Sequence, residues 1–120
     1  EKKLTASEFP DLFASVKVDF IGKNENPVVG QSFDFTKRHN TLENEVARLV
    51  GLTKAIELNG ERNGKYYVIG DEPSKKLEPN QHRIWQSIDI SDYLDFVPFK
   101  ELNKIEAYLE EHEVEKYFKD

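Results

Sequence analysis

The sequence predicts an α+β domain with a mainly antiparallel sheet and helices packed on that sheet. Three apolar runs separated by polar connections lie between residues 54 and 90, which is typical of an antiparallel meander. Stretches with the helical spacing of apolar residues lie on both sides of these runs. The 120 residues contain no internal repeat or linker-like tract, so we expect a single domain over 1–120.

The N-terminal part predicts a short helix followed by a hairpin. Ser7 can cap a helix whose expected buried residues are Phe9, Leu12 and Phe13. Apolar and polar residues alternate over 16–20 and again over 31–35, which is the period of a half-buried strand. The composition of 22–30 is typical of a loop, so the two strands can pair as a hairpin within 16–36.

A longer helix is predicted from Asn40 onward. Asn40 can cap its first turn, and Glu43 three residues later can complete a capping box. One face of this helix then carries apolar residues at helical spacing: Leu42, Val46, Leu49 and Val50. Gly51 predicts the end of the helix, because glycine is common just after a helix C-terminus.

The three runs of the predicted meander are 54–59, 65–69 and 83–90. Two Asn-Gly dipeptides lie within 59–64, and either can form a tight hairpin turn, with a different register for each choice. The run 65–69 is apolar on both faces and predicts a central strand. Residues 71–81 contain two prolines and a lysine pair and predict an exposed loop.

The last part of the chain predicts two helices. Ser91 can cap a short helix over 92–97, and Pro98 suits the first position of the next helix. The expected buried stripe of this last helix is Leu102, Ile105 and Leu109. Three further apolar residues predict that the C-terminal segment docks on the rest of the domain: Val114, Tyr117 and Phe118.

The net charge of −6 is unevenly distributed along the chain. Nine acidic and four basic residues fall within 91–120, so five of the six negative charges lie there. Direct nucleic-acid binding is not expected, because such proteins present a basic face. No apolar run approaches the ~18 residues of a membrane span. The expected location is the cytoplasm, since the chain has no Cys and no signal-peptide pattern.

The acidic C-terminal part predicts a basic protein partner. A small acidic α+β protein without chemistry of its own is similar in composition to bacterial immunity proteins, which bind and block toxin nucleases. The leading hypothesis is therefore an inhibitor that covers the basic active-site cleft of a toxin, in particular a nuclease. The candidate partner-binding residues are Glu106, Glu110, Glu111 and Glu113, with Tyr108 as an aromatic anchor.

A second hypothesis comes from the run Tyr66-Tyr-Val-Ile-Gly-Asp-Glu-Pro-Ser-Lys-Lys-Leu77. This run resembles the third strand and following loop of BRCT domains, a family that binds phosphopeptides and DNA ends in repair proteins. Residues 33–36 would correspond to its first strand, and 88–96 to its last strand and helix. The resemblance implies a parallel sheet, with Thr36 and Lys76 gripping a phosphate.

The resemblance covers residues 31–97 and includes departures from the family pattern. Gly51 would be the first residue of a glycine pair, but Leu52 stands in the second position. Lys37 replaces the glycine that normally follows the threonine, and Pro79 falls where the second helix should run.

An enzyme is the third class, and the sequence contains no motif for it. His39, His82 and His112 have no second ligand at an established metal spacing, so we expect neither a metal nor another cofactor. No nucleophile elbow, phosphate loop or dinucleotide turn is present in the sequence. A catalytic domain would require a cleft that gathers His39 or His82 with carboxylates such as Asp34 or Asp71.

Overall fold

A computed structural model describes residues 1–118, which form seven strands and three α-helices. The strands are β1 (Lys2–Leu4), β2 (Val16–Val18), β3 (Phe20–Asn24), β4 (Asn26–Ser32), β5 (Lys65–Gly70), β6 (Leu94–Pro98) and β7 (Glu115–Lys116). The helices are α1 (His39–Leu58), α2 (Pro79–Asp89) and α3 (Leu102–Glu111), and a 3-10 turn (Phe99–Glu101) precedes α3. No helix in the described part of the chain is both long and apolar enough to cross a membrane.

Five strands form the main sheet in the order β6-β5-β4-β3-β7, and β1 and β2 form a separate ribbon. The β1–β2, β3–β4 and β3–β7 pairings are antiparallel. The β4–β5 and β5–β6 pairings are parallel, and each requires a crossover, which α1 and α2 provide. Antiparallel pairings are thus the majority and the helices pack against the sheet, so the predicted α+β class is confirmed.

The main sheet has a hydrophobic core on each face. The larger core joins α1, α2 and the N-terminal residues Leu4 and Phe9 to alternate strand residues such as Val68. The smaller core lies under α3 and contains the intervening strand residues, including Ile69 and Val97. Because β5 is covered on both faces, its side chains are buried throughout 66–70, which confirms the predicted central strand.

Residues 54–59 are not a strand, because α1 continues to Leu58. Gly51 lies within this helix rather than at its end. Leu52, Ala55 and Ile56 extend the buried face of α1, so the larger core stabilises the helix beyond Gly51. The helix begins at His39 after Arg38, and no side chain caps its N-terminus, so the predicted capping box does not form.

The Asn-Gly dipeptides of 59–64 end a helix instead of forming a hairpin turn. Asn59 is the C-cap of α1, and Gly60 follows it with φ +92°, the left-handed conformation that commonly ends helices. Asn63 also adopts a positive φ of 58°. Each dipeptide therefore supplies one positive φ, but in a connection from a helix to a parallel strand.

Residues 83–90 are also not a strand, so the predicted three-stranded meander is wrong. They lie almost entirely within α2, which begins at Pro79, inside the predicted loop 71–81. Proline stabilises a helix start because its fixed φ is helical and its missing N–H would have no intrahelical acceptor there. Ile88 is buried, and the half-buried Ile84 one turn earlier packs on the same core.

The predicted helix over 92–97 is replaced by β6. The backbone N–H groups of Tyr93 and Leu94 both donate to the Ser91 hydroxyl oxygen, forming a turn that leads into the strand. Pairing with β5 then buries Leu94 and Val97. Pro98 precedes the 3-10 turn rather than opening α3. The predicted α3 stripe holds for Ile105 and Leu109, whereas Leu102 is exposed.

The N-terminal expectations are partly wrong. Residues 5–13 form turns rather than a helix, and Phe13 is 93% exposed although Phe9 and Leu12 are buried. A hairpin does lie within 16–36, but it joins β3 to β4 around Glu25, inside the predicted loop 22–30. Glu25 can make this tight turn because it adopts a positive φ of 65°.

The C-terminal segment docks on the domain as predicted. β7 pairs with β3 and forms the edge of the main sheet, and the Tyr117 N–H donates to the Ile21 carbonyl oxygen. The rings of Tyr117 and Phe118 lie 5.6 and 6.0 Å from that of Phe9, measured between centroids.

Candidate functional site

The four predicted carboxylates are distributed from the middle of α3 to just beyond its C-terminal end. We call this group, Glu106, Glu110, Glu111 and Glu113, the acidic surface. All four residues are exposed, and none forms an ion pair within residues 1–118. Their carboxylates therefore face solvent and stabilise no ion pair within the described residues.

The position of these charges opposes the local electrostatics of the helix. The C-terminal end of a helix carries partial negative charge from its free carbonyl groups. The last turn of α3 contains Glu110 and Glu111 and no basic residue. Like charges at this end destabilise an exposed helix by about 0.3–1 kcal/mol each. The acidic surface thus lowers the stability of the element that carries it.

A residue from a distant part of the sequence extends the acidic surface. The side-chain amide of Asn24 donates to the His112 carbonyl oxygen and joins the β3–β4 turn to the end of α3. Glu25 at the tip of that turn therefore lines the same surface cavity as Glu111 and Glu113. No local sequence signal identifies Glu25, because Glu111 follows it by 86 positions in the sequence (111 − 25) and only the hairpin geometry brings the two together.

Tyr108 is more deeply placed than an interface anchor would need to be. It is half-buried, with its ring 6.0 Å from that of Tyr67 and 4.2 Å from that of His112. Burial, assisted by Tyr108 and Asp95, raises the pKa of Tyr67 to about 12. Tyr108 thus packs mainly on the smaller core, and only part of its ring is available to a partner.

A second candidate site is the edge of the sheet where β4, β5 and β6 end, because ligands bind at the carboxyl ends of parallel strands. Asp34 follows β4 and accepts hydrogen bonds from the Thr36 hydroxyl (2.6 Å) and backbone N–H (2.9 Å). These bonds, with smaller help from Lys37, lower the pKa of Asp34. The turn therefore gains stability from the ionised carboxylate, and this gain is lost as pH falls through the lowered pKa.

The phosphate-gripping pair implied by the BRCT resemblance is not favoured by this geometry. The Thr36 hydroxyl is bonded to a carboxylate, which would repel a phosphate. Lys76 is exposed in the turn before α2. The parallel pairing of β4, β5 and β6 agrees with the resemblance, but residues 33–36 follow β4 rather than form a strand. Residues 88–96 contain a helix end and then a strand, the reverse of the implied order.

One of the two histidines considered for a catalytic site contacts a carboxylate. His82, on α2, is buried, and its Nε2 lies 2.9 Å from a carboxylate oxygen of Glu72, the residue after Asp71. His39 is exposed at the start of α1. Within residues 1–118, no three or more His, Cys, Asp or Glu residues are grouped so that they could hold a metal ion. The His82–Glu72 contact ties α2 to the segment after β5.

The acidic surface is therefore a group of four charges that form no ion pair within residues 1–118. No protein-family model, curated protein or solved structure significantly matches this chain.

Proposed function

We propose that this protein binds a basic protein partner and inhibits it, in the manner of an immunity protein that neutralises a nuclease toxin. The acidic surface would cover the basic cleft in which the toxin binds its substrate. The inhibitor needs no cofactor and performs no turnover. The proposed compartment is the cytoplasm, which is consistent with a chain that contains no cysteine.

One observation carries the proposal: the acidic surface is exposed and without ion pairs in residues 1–118, and two of its members, Glu110 and Glu111, occupy the last turn of α3, where acidic residues are least favourable. Local rules of stability are most often broken at functional sites. A basic partner would compensate all four carboxylates at once. Glu25, on the neighbouring hairpin turn, would add a fifth charge to the same contact.

The proposed mechanism has two steps. Opposite charges first attract the two proteins to each other, and the inhibitor then blocks the partner's cleft sterically. Complementary charge raises the rate of association between proteins to about 10⁸–10⁹ M⁻¹s⁻¹ at low salt, compared with 10⁵–10⁶ M⁻¹s⁻¹ for neutral surfaces. The exposed carboxylates would occupy the positions that substrate phosphates take in the partner's cleft. The remaining face of Tyr108 and the exposed His112 ring would contribute the less polar part of the contact.

The test is a charge reversal with a matched control. The test variant carries Glu106→Lys, Glu110→Lys and Glu113→Lys. The control variant carries Glu43→Lys, Glu57→Lys and Asp89→Lys, three exposed carboxylates on α1 and α2. Both variants have the same net charge. The test variant should fold at least as stably as wild type, because lysines near the end of α3 complement the helix dipole.

The wild-type chain serves as bait, and the captured protein is identified and assayed for nuclease activity. We expect a basic partner whose inhibition and association rate fall at least tenfold with the test variant and much less with the control. The association rate of wild type should also fall steeply with salt, whereas that of the test variant should not. Equal binding by the two variants, or a partner without a basic surface, would contradict the proposal.

A further inference from the structure

A polar cleft lies between the β1–β2 ribbon and α1, and we call it the ribbon cleft. Its volume of about 370 Å³ falls within the ~300–1,000 Å³ range of small-molecule sites. Lys3 and Lys17 line it from the ribbon, Gln31 and Ser32 from β4, and Arg48 from α1. The cleft is on the side of the sheet that α1 covers, whereas the acidic surface is on α3, across the sheet.

Lys3 and Lys17 are paired directly opposite each other in the antiparallel register of the ribbon. Directly opposite residues of a strand pair project from the same face, so the two lysine side chains leave the ribbon side by side. Neither lysine forms an ion pair within residues 1–118. Opposed like charges destabilise a strand pair. The ribbon therefore concentrates positive charge on the cleft without compensating it.

Most of the other charged side chains of the ribbon cleft have partners. Lys37 Nζ lies 2.9 Å from a carboxylate oxygen of Glu45. The Ser32 hydroxyl donates to Asp19, and Arg48 donates to the Ser15 carbonyl oxygen at 2.7 Å. Glu1 also lines the cleft. Of the lysine and arginine side chains that line the cleft, the two ribbon lysines are those with neither an ion pair nor a hydrogen bond within residues 1–118.

Gln31 adds a second, independent observation at the same place. It is only 8% exposed, and its side-chain carbonyl oxygen has no hydrogen-bond partner within residues 1–118. Buried amides are normally bonded, so an unpaired one calls for a specific reason. The oxygen itself cannot bond an anion, but a flip of the amide, which exchanges its oxygen and nitrogen, would let the NH₂ group donate to a ligand in the cleft.

We propose that the ribbon cleft binds a small dianionic oxyanion of the phosphate-monoester class between Lys3 and Lys17, with the Gln31 amide as an additional donor. A phosphate monoester is largely dianionic above its second pKa of ~6, so its charge matches that of the two lysines. The anion would also remove the repulsion between the lysines, so its binding should stabilise the folded chain. This site is separate from the acidic surface and does not depend on the function proposed for it.

The test uses methyl phosphate and inorganic phosphate as probes on the full chain at pH 8, with acetate at matched ionic strength. Amide resonances of the ribbon and β4 should shift along a saturable isotherm with either phosphate, and the midpoint of thermal unfolding should rise. The Lys3→Gln/Lys17→Gln variant should lose at least tenfold in affinity. In phosphate-free buffer it should be no less stable than wild type, because the repulsion is gone.

The matched control is Lys75→Gln/Lys76→Gln, which removes two exposed adjacent lysines outside the cleft. It should leave the affinity within twofold of wild type. Gln31→Met keeps the side-chain volume and should weaken binding without abolishing it. Non-saturable shifts, an equal response to acetate, or an equal loss in the control variant would each show general charge screening and overturn the proposal.

Discussion

The ammonium group of Lys23 lies 2.8 Å from a carboxylate oxygen of Glu61, and this ion pair joins strand β3 to the connection after α1. The other carboxylate oxygen of Glu61 accepts a hydrogen bond from the Tyr117 hydroxyl. Lys23 also lies over the Tyr117 ring, 5.6 Å from its centroid. Glu61, which is far from the C-terminus in sequence, thus fixes the segment that contains β7.

We expect Glu61→Ala to lower the free energy of unfolding by about 1.5–3 kcal/mol, because hydrogen bonds to a poorly exposed charged group contribute that much. Lys23→Ala should cost less than about 1 kcal/mol, since the Lys23 side chain is 43% exposed. Urea denaturation measures both values. Hydrogen exchange at the Tyr117 amide should accelerate in Glu61→Ala. Glu43→Ala, at an exposed carboxylate of α1, is the control, and an equal loss there would contradict this role of Glu61.

Tyr66 is a buried phenol whose hydroxyl has no hydrogen-bond partner within residues 1–118. Replacing it by phenylalanine should raise the free energy of unfolding at neutral pH by about 1 kcal/mol, because the unsatisfied hydroxyl no longer has to be desolvated. Tyr93→Phe, at a half-exposed ring, should change the stability little. Urea denaturation of the two variants separates these outcomes, and a destabilised Tyr66→Phe would indicate that the hydroxyl is bonded.

The same residue predicts a dependence on alkaline pH. Burial, followed by the nearby charges of Glu57 and Glu61, raises the pKa of Tyr66 to about 12. The phenol therefore stays neutral in the folded state at pH values where the unfolded chain, with the ordinary pKa near 10, already ionises. As a result, the free energy of unfolding keeps its full value below about pH 10 and decreases as pH rises from about 10 to about 12. Wild type should lose more stability over this range than Tyr66→Phe.

Two glycines predict opposite effects of the same substitution. An added methyl at Gly51 would meet nothing within 4 Å in the middle of α1, so Gly51→Ala should stabilise the protein by about 0.5–1 kcal/mol. Gly30 faces Phe20 across the β3–β4 pairing, and a methyl there would overlap the Phe20 ring. Gly30→Ala should therefore destabilise by about 1–3 kcal/mol. Thermal unfolding of both variants checks the signs, and a destabilised Gly51→Ala would mean that the helix is interrupted there.

The sequence identified the residues of the acidic surface but not what surrounds them. The spacing of Ile105 and Leu109 was sufficient to place α3 and hence the exposed glutamates at its end. The approach of Glu25, the half-burial of Tyr108 and the opposition of Lys3 to Lys17 depend on strand pairings between distant segments. A single sequence contains no local pattern for such pairings.

The errors in the predicted strands 54–59 and 83–90 have the same physical origin. Ile56 and Leu58 alternate like strand residues, and so do Ile88 and Ile90, but short apolar runs also fit a helix face. The structure buries Ile56 and Ile88 and exposes Leu58 and Ile90, which is the outcome of helical packing on the larger core. Proline disfavours the interior of a helix, but Pro79 stands in the first turn of α2, where proline favours a helix.

The sequence by itself determined the α+β class, the central strand at 65–69 and the docking of Tyr117 and Phe118. The reason is that apolar side chains on both faces of 65–69, and apolar side chains near the C-terminus, have to be buried wherever the other segments pack. Tertiary structure alone decided whether the segments on either side of this strand became helices or strands. A central strand buried on both faces needs cover above and below. Segments 54–59 and 83–90 supply part of that cover as helices. If they were further strands of the sheet, the face that carries the larger core would be left exposed.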